Sequence, residues 1–127
     1  MDWIHDAIAE FGRSIGLPRL ALSGGGRLKL GLGTGGQVGM VHLDDIDTPV
    51  LVVYRSCPLA YQPSAQLRRA LQLTDFRSGP PWPLQAAVGN GELFLALRVP
   101  ERRVTAAALE QAMSTLAQFH LELGPAG

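Results

Sequence analysis

Between Trp3 and Ile15 the apolar residues Trp3, Ile4, Ala7, Ile8, Phe11 and Ile15 fall within one arc at helical spacing, and His5, Asp6, Glu10 and Arg13 lie outside it. The spacing predicts an amphipathic first helix. Asp2 stands where an N-cap accepts from the orphan amides of the first turn, and Gly16 followed by Leu17-Pro18 supplies the stop. From Leu20 to Arg55 the period becomes two. Leu28, Leu30 and Leu32 alternate with Arg27, Lys29 and Gly31, and turns are marked by Gly24-Gly25-Gly26 and by Gly33 to Gly36. A second strand is predicted over Gln37 to Leu43. A third, Val50 to Tyr54, is apolar on both faces, which predicts a central strand covered on both sides.

Pro63-Ser64 opens a short helix running to about Leu73, with Leu67, Ala70, Leu71 and Thr74 on one side, Arg68 and Arg69 outside it, and Leu73 off the main stripe. Ser78 to Pro83 holds three prolines, which remove amide donors and fix φ, so it reads as a stiff connector. Leu84 to Val88, the turn Gly89-Asn90-Gly91 and Glu92 to Val99 form a hairpin whose second strand carries Leu93, Leu95, Leu97 and Val99 on one face and Phe94 on the other. Thr105 caps a last helix with the stripe Leu109, Ala112, Met113, Leu116, Phe119, His120 and Leu123, ended by Gly124-Pro125, with Leu121 on its polar side.

The predicted order is α-β-β-β-α-β-β-α. Neither run of strands has room for the crossovers of a parallel sheet, so the fold class is α+β, an antiparallel twisted sheet with helices on one face. The 127 residues form one domain, 1–127. Eleven basic and eleven acidic residues give a net charge of zero, so no field gathers nucleic acid along the chain. The acidic, amphipathic start lacks the pattern of a signal peptide, and no apolar run approaches the roughly 20 residues of a membrane span. A cytoplasmic protein without membrane insertion is expected. The single Cys57 is read as a plain loop thiol.

Candidate chemistry is sparse. Gly31-Leu32-Gly33-Thr34-Gly35-Gly36 matches G-x-G-x-x-G after a strand, but a dinucleotide site needs the run to open a helix, and here a strand follows. It reads as a hairpin turn. Asp44, Asp45 and Asp47 lack the regular spacing and distal glutamate of a calcium loop. His5 and His42 form no transition-metal pattern, and no serine or cysteine comes with a local activating partner. His120 sits inside an apolar stripe, where a hydrogen bond has to satisfy it. Arg68, Arg69, Arg98, Arg102 and Arg103 read as solvated faces, and Pro80 and Pro83 as connector rather than P-x-x-P ligand. The expectation is a binding protein, not an enzyme, with no cofactor and no metal.

The chain resembles the class I chaperones of type III secretion, and most closely the SycN type. The carriers are Met1-Asp2-Trp3-Ile4, Phe11 with Ile15-Gly16-Leu17-Pro18, Leu59-Ala60-Tyr61, Ala70 to Thr74, Ser78-Gly79, Pro83-Leu84, Glu92 to Leu95 and the leucine-rich last helix. The chain departs from the family's acidic habit in being neutral. The resemblance implies a subunit that dimerises through its middle helix and neighbouring strand, with a YscB-like chaperone as the second subunit. It also implies a client, the N-terminal segment of a secreted YopN-like gatekeeper that restrains secretion until host contact. On that reading Leu67, Ala70, Leu71 and Leu84 belong to the dimer interface, and Leu28, Leu30, Leu32, Val38 and Met40, with Ile4 and Ile8 of the first helix, to the client surface. A roadblock-like scaffold subunit and a small phosphate-binding enzyme are the alternatives.

Overall fold

The computed structural model describes residues 2–17, 19–23, 26–31, 36–44, 47–59, 64–75, 82 and 84–123. The first helix, α1 (Asp2–Ser14), ends as its sequence demands. Gly16 adopts φ +82°. The Leu17 N–H then reaches back to the Gly12 carbonyl at 2.6 Å and the Gly16 N–H to that of Arg13 at 3.3 Å, the paired bonds of a Schellman stop. Gly12 is needed here for a second reason, because a Cβ on it would collide with the Leu17 carbonyl oxygen and with the Leu20 side chain.

Strands β1 (Arg27–Gly31), β2 (Gln37–Leu43) and β3 (Val50–Pro58) follow, then α2 (Ser64–Asp75), β4 (Leu84–Gly89), β5 (Glu92–Pro100), a 3₁₀ turn (Glu101–Arg103) and α3 (Ala106–Leu123). The strands form one antiparallel five-stranded sheet in the order β1-β2-β3-β5-β4. The predicted class, element order and central β3 are all present. The β4–β5 turn is a two-residue Asn90-Gly91 loop with φ values of +51° and +75°, a twist that matches the flanking strands. Thr105 caps α3, its Oγ1 accepting from the Ala108 N–H at 3.0 Å.

The core lies between the helices and one face of the sheet. Leu51, Val53, Leu95, Leu97 and Val99 are fully buried there, against Ile4 and Ile8 of α1 and Leu109, Ala112 and Leu116 of α3. Each buried aliphatic side chain on this face contributes about 1.5–3 kcal/mol relative to exposure. Trp82 is the described residue of the proline-rich connector, and it is buried against the core; the rest of residues 76–83 lie outside the described set, as do Gly24, Gly25, Leu32 to Gly35, Asp45, Pro63 and Gly124-Pro125.

Several expectations are corrected. β3 runs on from Tyr54 to Pro58, because β5 continues to pair with it as far as Pro58 opposite Glu92. Cys57 therefore sits half-buried in a strand, not in a loop, and burial pushes its thiol pKa up. Trp3 and Ile15 sit at the rim of the α1 arc and stay exposed, at 45% and 47%. In α2 the inward face is Gln66, Leu67 and Ala70, while Leu71 is rotated outward at 66% exposure. The side chains of Leu73, Thr74 and Leu123 lie outside the described set. Finally, no described helix covers the second face of β3.

Candidate functional site

The two ends of the sheet order leave two open strand edges, and the β1 edge is the better furnished. The His42 N–H donates to the Gly26 carbonyl at 2.8 Å, which sets the phase of the β1–β2 ladder. Gly26, Leu28 and Leu30 therefore direct their backbone groups toward β2, and Arg27, Lys29 and Gly31 direct theirs outward. Ser23 meets Arg27, its N–H donating to the Arg27 carbonyl at 2.7 Å and its Oγ accepting from the Arg27 N–H at 3.4 Å. Among the described residues nothing pairs with the outward backbone groups of Lys29 and Gly31, which stand as an open rail. Beside them the side chains of Leu28 and Leu30 turn to the helix side of the sheet and are half-buried.

Next to that rail lies a largely apolar cavity of about 350 Å³, lined by Leu17, Arg19, Leu20 and Leu30. Its wall is the chain reversal that follows the α1 stop, so the glycines at 12 and 16 shape it. An extended segment paired with β1 would present every second side chain to this hollow. Val38 is half-buried on the same side, one strand in, opposite Leu30. Leu32 lies outside the described residues. Ile4, Ile8 and Met40, named from sequence for a client surface, are 0%, 0% and 1% exposed and offer a partner no surface in this conformation. Their arc faces the sheet, the ordinary use of an amphipathic helix face.

At the other edge β4 is exposed over Gln85 to Val88, with Val88 at 56%. α2 packs beside it, and Leu67 and Leu84 are half-buried against the core. The Gln66 amide donates to Cys57 Sγ at 3.6 Å and to the Pro58 carbonyl at 3.4 Å, fixing α2 to the end of β3. The buried Gln66, invisible in an apolar stripe, is a residue that sequence reasoning missed.

Polar groups elsewhere serve as fasteners. Ser56 is 1% exposed; its Oγ donates to Glu92 Oε1 at 2.6 Å and accepts from the Gln37 N–H at 3.1 Å. A Cβ on Gly36 would strike the Ser56 carbonyl. The last glycine of the G-x-G-x-x-G run is thus required by close approach to β3, and Gln37 opens a strand, so no helix N-terminus faces a phosphate. His42 Nε2 lies 2.8 Å from Glu101 Oε2, and Trp3 Nε1 donates to the Glu101 carbonyl at 3.1 Å, holding the start of α1 to the 3₁₀ turn. Arg55 Nε donates to His120 Nδ1 at 3.2 Å. The imidazole proton is therefore on Nε2, which is buried and meets no partner among the described residues. Burial, then the Arg55 charge, push the His120 pKa down to about 4. Half of the expected satisfaction of this histidine is present.

Among the described residues no three His, Cys, Asp or Glu side chains gather as a metal site, and no helix is long and apolar enough to cross a membrane. What the geometry can do is bind polypeptide: an open edge with a hollow beside it, a second edge flanked by a helix, and a sheet face that no described helix covers.

Known proteins bear on that result. The Yersinia pestis type III secretion chaperone SycH, solved in complex with a stable fragment of YscM2, superposes with a TM-score of 0.72 at 15% identity, over 95% of this chain and 99% of the other. A chain of the HopA1-SchA chaperone-effector complex gives 0.68 at 14% identity, over 93% and 90%. A chain of the ExsC-ExsE complex gives 0.67 at 19%, over 91% and 86%. At such identities these show a shared fold. No curated protein sequence matches the chain. The family model for the type III secretory system chaperone SycN matches residues 3–124, in place of the roadblock-like alternative. With nearly the whole chain inside that match, the protein belongs to the SycN family of type III secretion chaperones.

Proposed function

We propose that this chaperone holds the N-terminal segment of a secreted YopN-like gatekeeper in extended form along the β1 edge, keeping it secretion-competent, as one half of a heterodimer with a YscB-like chaperone. The observation that carries the reading is the open backbone rail of Lys29 and Gly31 beside the hollow lined by Leu17, Leu20 and Leu30. Backbone pairing supplies affinity without regard to sequence, and the hollow selects an apolar side chain. The solved neighbours, each a complex with a protein partner, support a binding role of this kind. Leu28 and Leu30 belong to that client surface, with Val38 beneath them.

For the second subunit the proposed contact is α2 with β4. Leu71 and Val88 are exposed apolar side chains on those two elements, with Leu67, Ala70 and Leu84 packed behind them. A partner chaperone covering both would remove that surface from water. The chaperone should accordingly work as a binding protein of the cytoplasm, where the client is made.

Co-expression with the neighbouring small chaperone and secreted-protein genes, followed by size-exclusion chromatography, tests the reading. A complex of three chains is expected, in which proteolysis leaves a long protected stretch near the client's N-terminus. A chain that elutes alone, retaining neither partner, overturns it.

A further inference from the structure

The hollow beside the β1 edge holds a charge. Leu17, Leu20 and Leu30 give it apolar walls, and Arg19 stands among them, exposed. The turn that carries Arg19 is fixed on both sides. The Leu17 N–H is bonded back to the Gly12 carbonyl at 2.6 Å and the Leu20 N–H to the Leu17 carbonyl at 3.1 Å, so this rim is set before any partner arrives. The side-chain ion pair present among the described residues joins His42 to Glu101, and no described carboxylate stands beside Arg19. Arg27 and Lys29, the charges of β1 itself, alternate to the other side of the sheet from Leu28 and Leu30.

An apolar side chain alone does not complete this site. Seating one in the hollow strips water from the guanidinium, and a cation that loses water without gaining an acceptor is destabilised. The missing acceptor has a defined place. A segment paired with β1 turns every second residue to the side of the sheet where Leu28 and Leu30 lie, so the seated residue shares that side with neighbours two residues away, about 7 Å along the strand. A long cationic side chain and a carboxylate together span that gap. The planar guanidinium takes a carboxylate through two parallel N–H donors, a match that a neutral amide does not reproduce.

From these features we infer that the hollow reads two client residues together: an apolar side chain seated on Leu17, Leu20 and Leu30, and an aspartate or glutamate two residues from it, taken by Arg19. The inference rests on the proposal that a client strand pairs with β1, and adds the charge that such a strand must bring.

The test is a titration of the isotope-labelled full chain with three capped, threonine-rich peptides of about ten residues, long enough to cover the five of β1. Each has a central leucine, with glutamate, glutamine or lysine two residues away on both sides, so that either strand direction offers the variable residue to Arg19. The glutamate peptide is expected to shift the resonances of Leu17, Leu20, Leu28 and Leu30 and to bind about tenfold tighter than the glutamine peptide, with the lysine peptide weakest. In Arg19→Gln the glutamate and glutamine peptides should bind alike, and in Arg19→Glu the lysine peptide should bind best. A residue that only shaped the turn would weaken all three equally. Position 19 is exposed, and unchanged circular dichroism verifies that both variants fold. Equal affinity of the three peptides for the wild type, or an acidic preference that survives both substitutions, overturns the inference. A wild-type chain that retains its client in co-purification yet fails to favour the glutamate peptide, or shifts with none of the three, overturns this inference alone. A chain that captures no client overturns the chaperone reading itself.

Discussion

His120 is the residue whose surroundings make the sharpest demand. Its pKa, pushed down to about 4 by burial and by Arg55, lies below the ordinary value of 6.5, so the unfolded chain binds a proton that the folded chain refuses. Above pH 6.5 this costs nothing. As pH falls from 6.5 toward 4 the unfolded state gains protons and stability is lost, and below about 4 both states are protonated and the slope ends. Urea unfolding of wild type and His120→Gln across that window should show the extra loss in wild type alone, since glutamine keeps an acceptor for Arg55 and does not titrate. Parallel pH profiles would mean the histidine contributes no titration. The apolar stripe of the last helix made His120 visible in the sequence as an anomaly, but not its partner, because Arg55 reads as the end of a strand and is 65 residues away.

At the level of elements, helix ends were legible because their chemistry is local. Gly16 and Thr105 each act on a neighbour within five residues, and both do what their residue types imply. Thr105→Ala should lower stability by about 1 kcal/mol, read as a shift of the urea midpoint at constant slope, with Thr105→Ser close to wild type. Gly12→Ala should cost about 1–3 kcal/mol, as the new Cβ forces the Leu17 reversal off the helix, and the same scan measures it. A Gly12→Ala variant as stable as wild type would mean the turn can shift freely. What failed to show in the sequence was set by partners distant along the chain. Ser56 and Cys57 look like loop residues until Gln37 and Glu92 tie them into the sheet, and Gln66 looks like helix surface until Cys57 and Pro58 receive its amide. The two-residue period of β5 separated Leu93 and Leu95 from Phe94 correctly, yet it could not tell that one face would be covered by helices and the other by no described helix.

For the whole molecule, the order β1-β2-β3-β5-β4 explains why binding concentrates at the margins. The central strands pair their backbone groups with each other, so among the described strands β1 and β4 are the edges that can accept a further strand. Proline makes the argument specific. At Lys29 the N–H points away from β2, so Lys29→Pro removes an outward donor, leaves the bonds of Leu28 and Leu30 to β2 in place, and blocks a client strand. The variant should keep the circular dichroism of the wild type and pairing with the second chaperone, and lose most client capture in co-purification. Lys29→Ala, which drops the charge but keeps the N–H, should retain it. Equal capture by the proline variant and the wild type would mean that the client does not add a strand at β1; loss in the alanine variant as well would assign the effect to the lysine charge instead of the backbone rail.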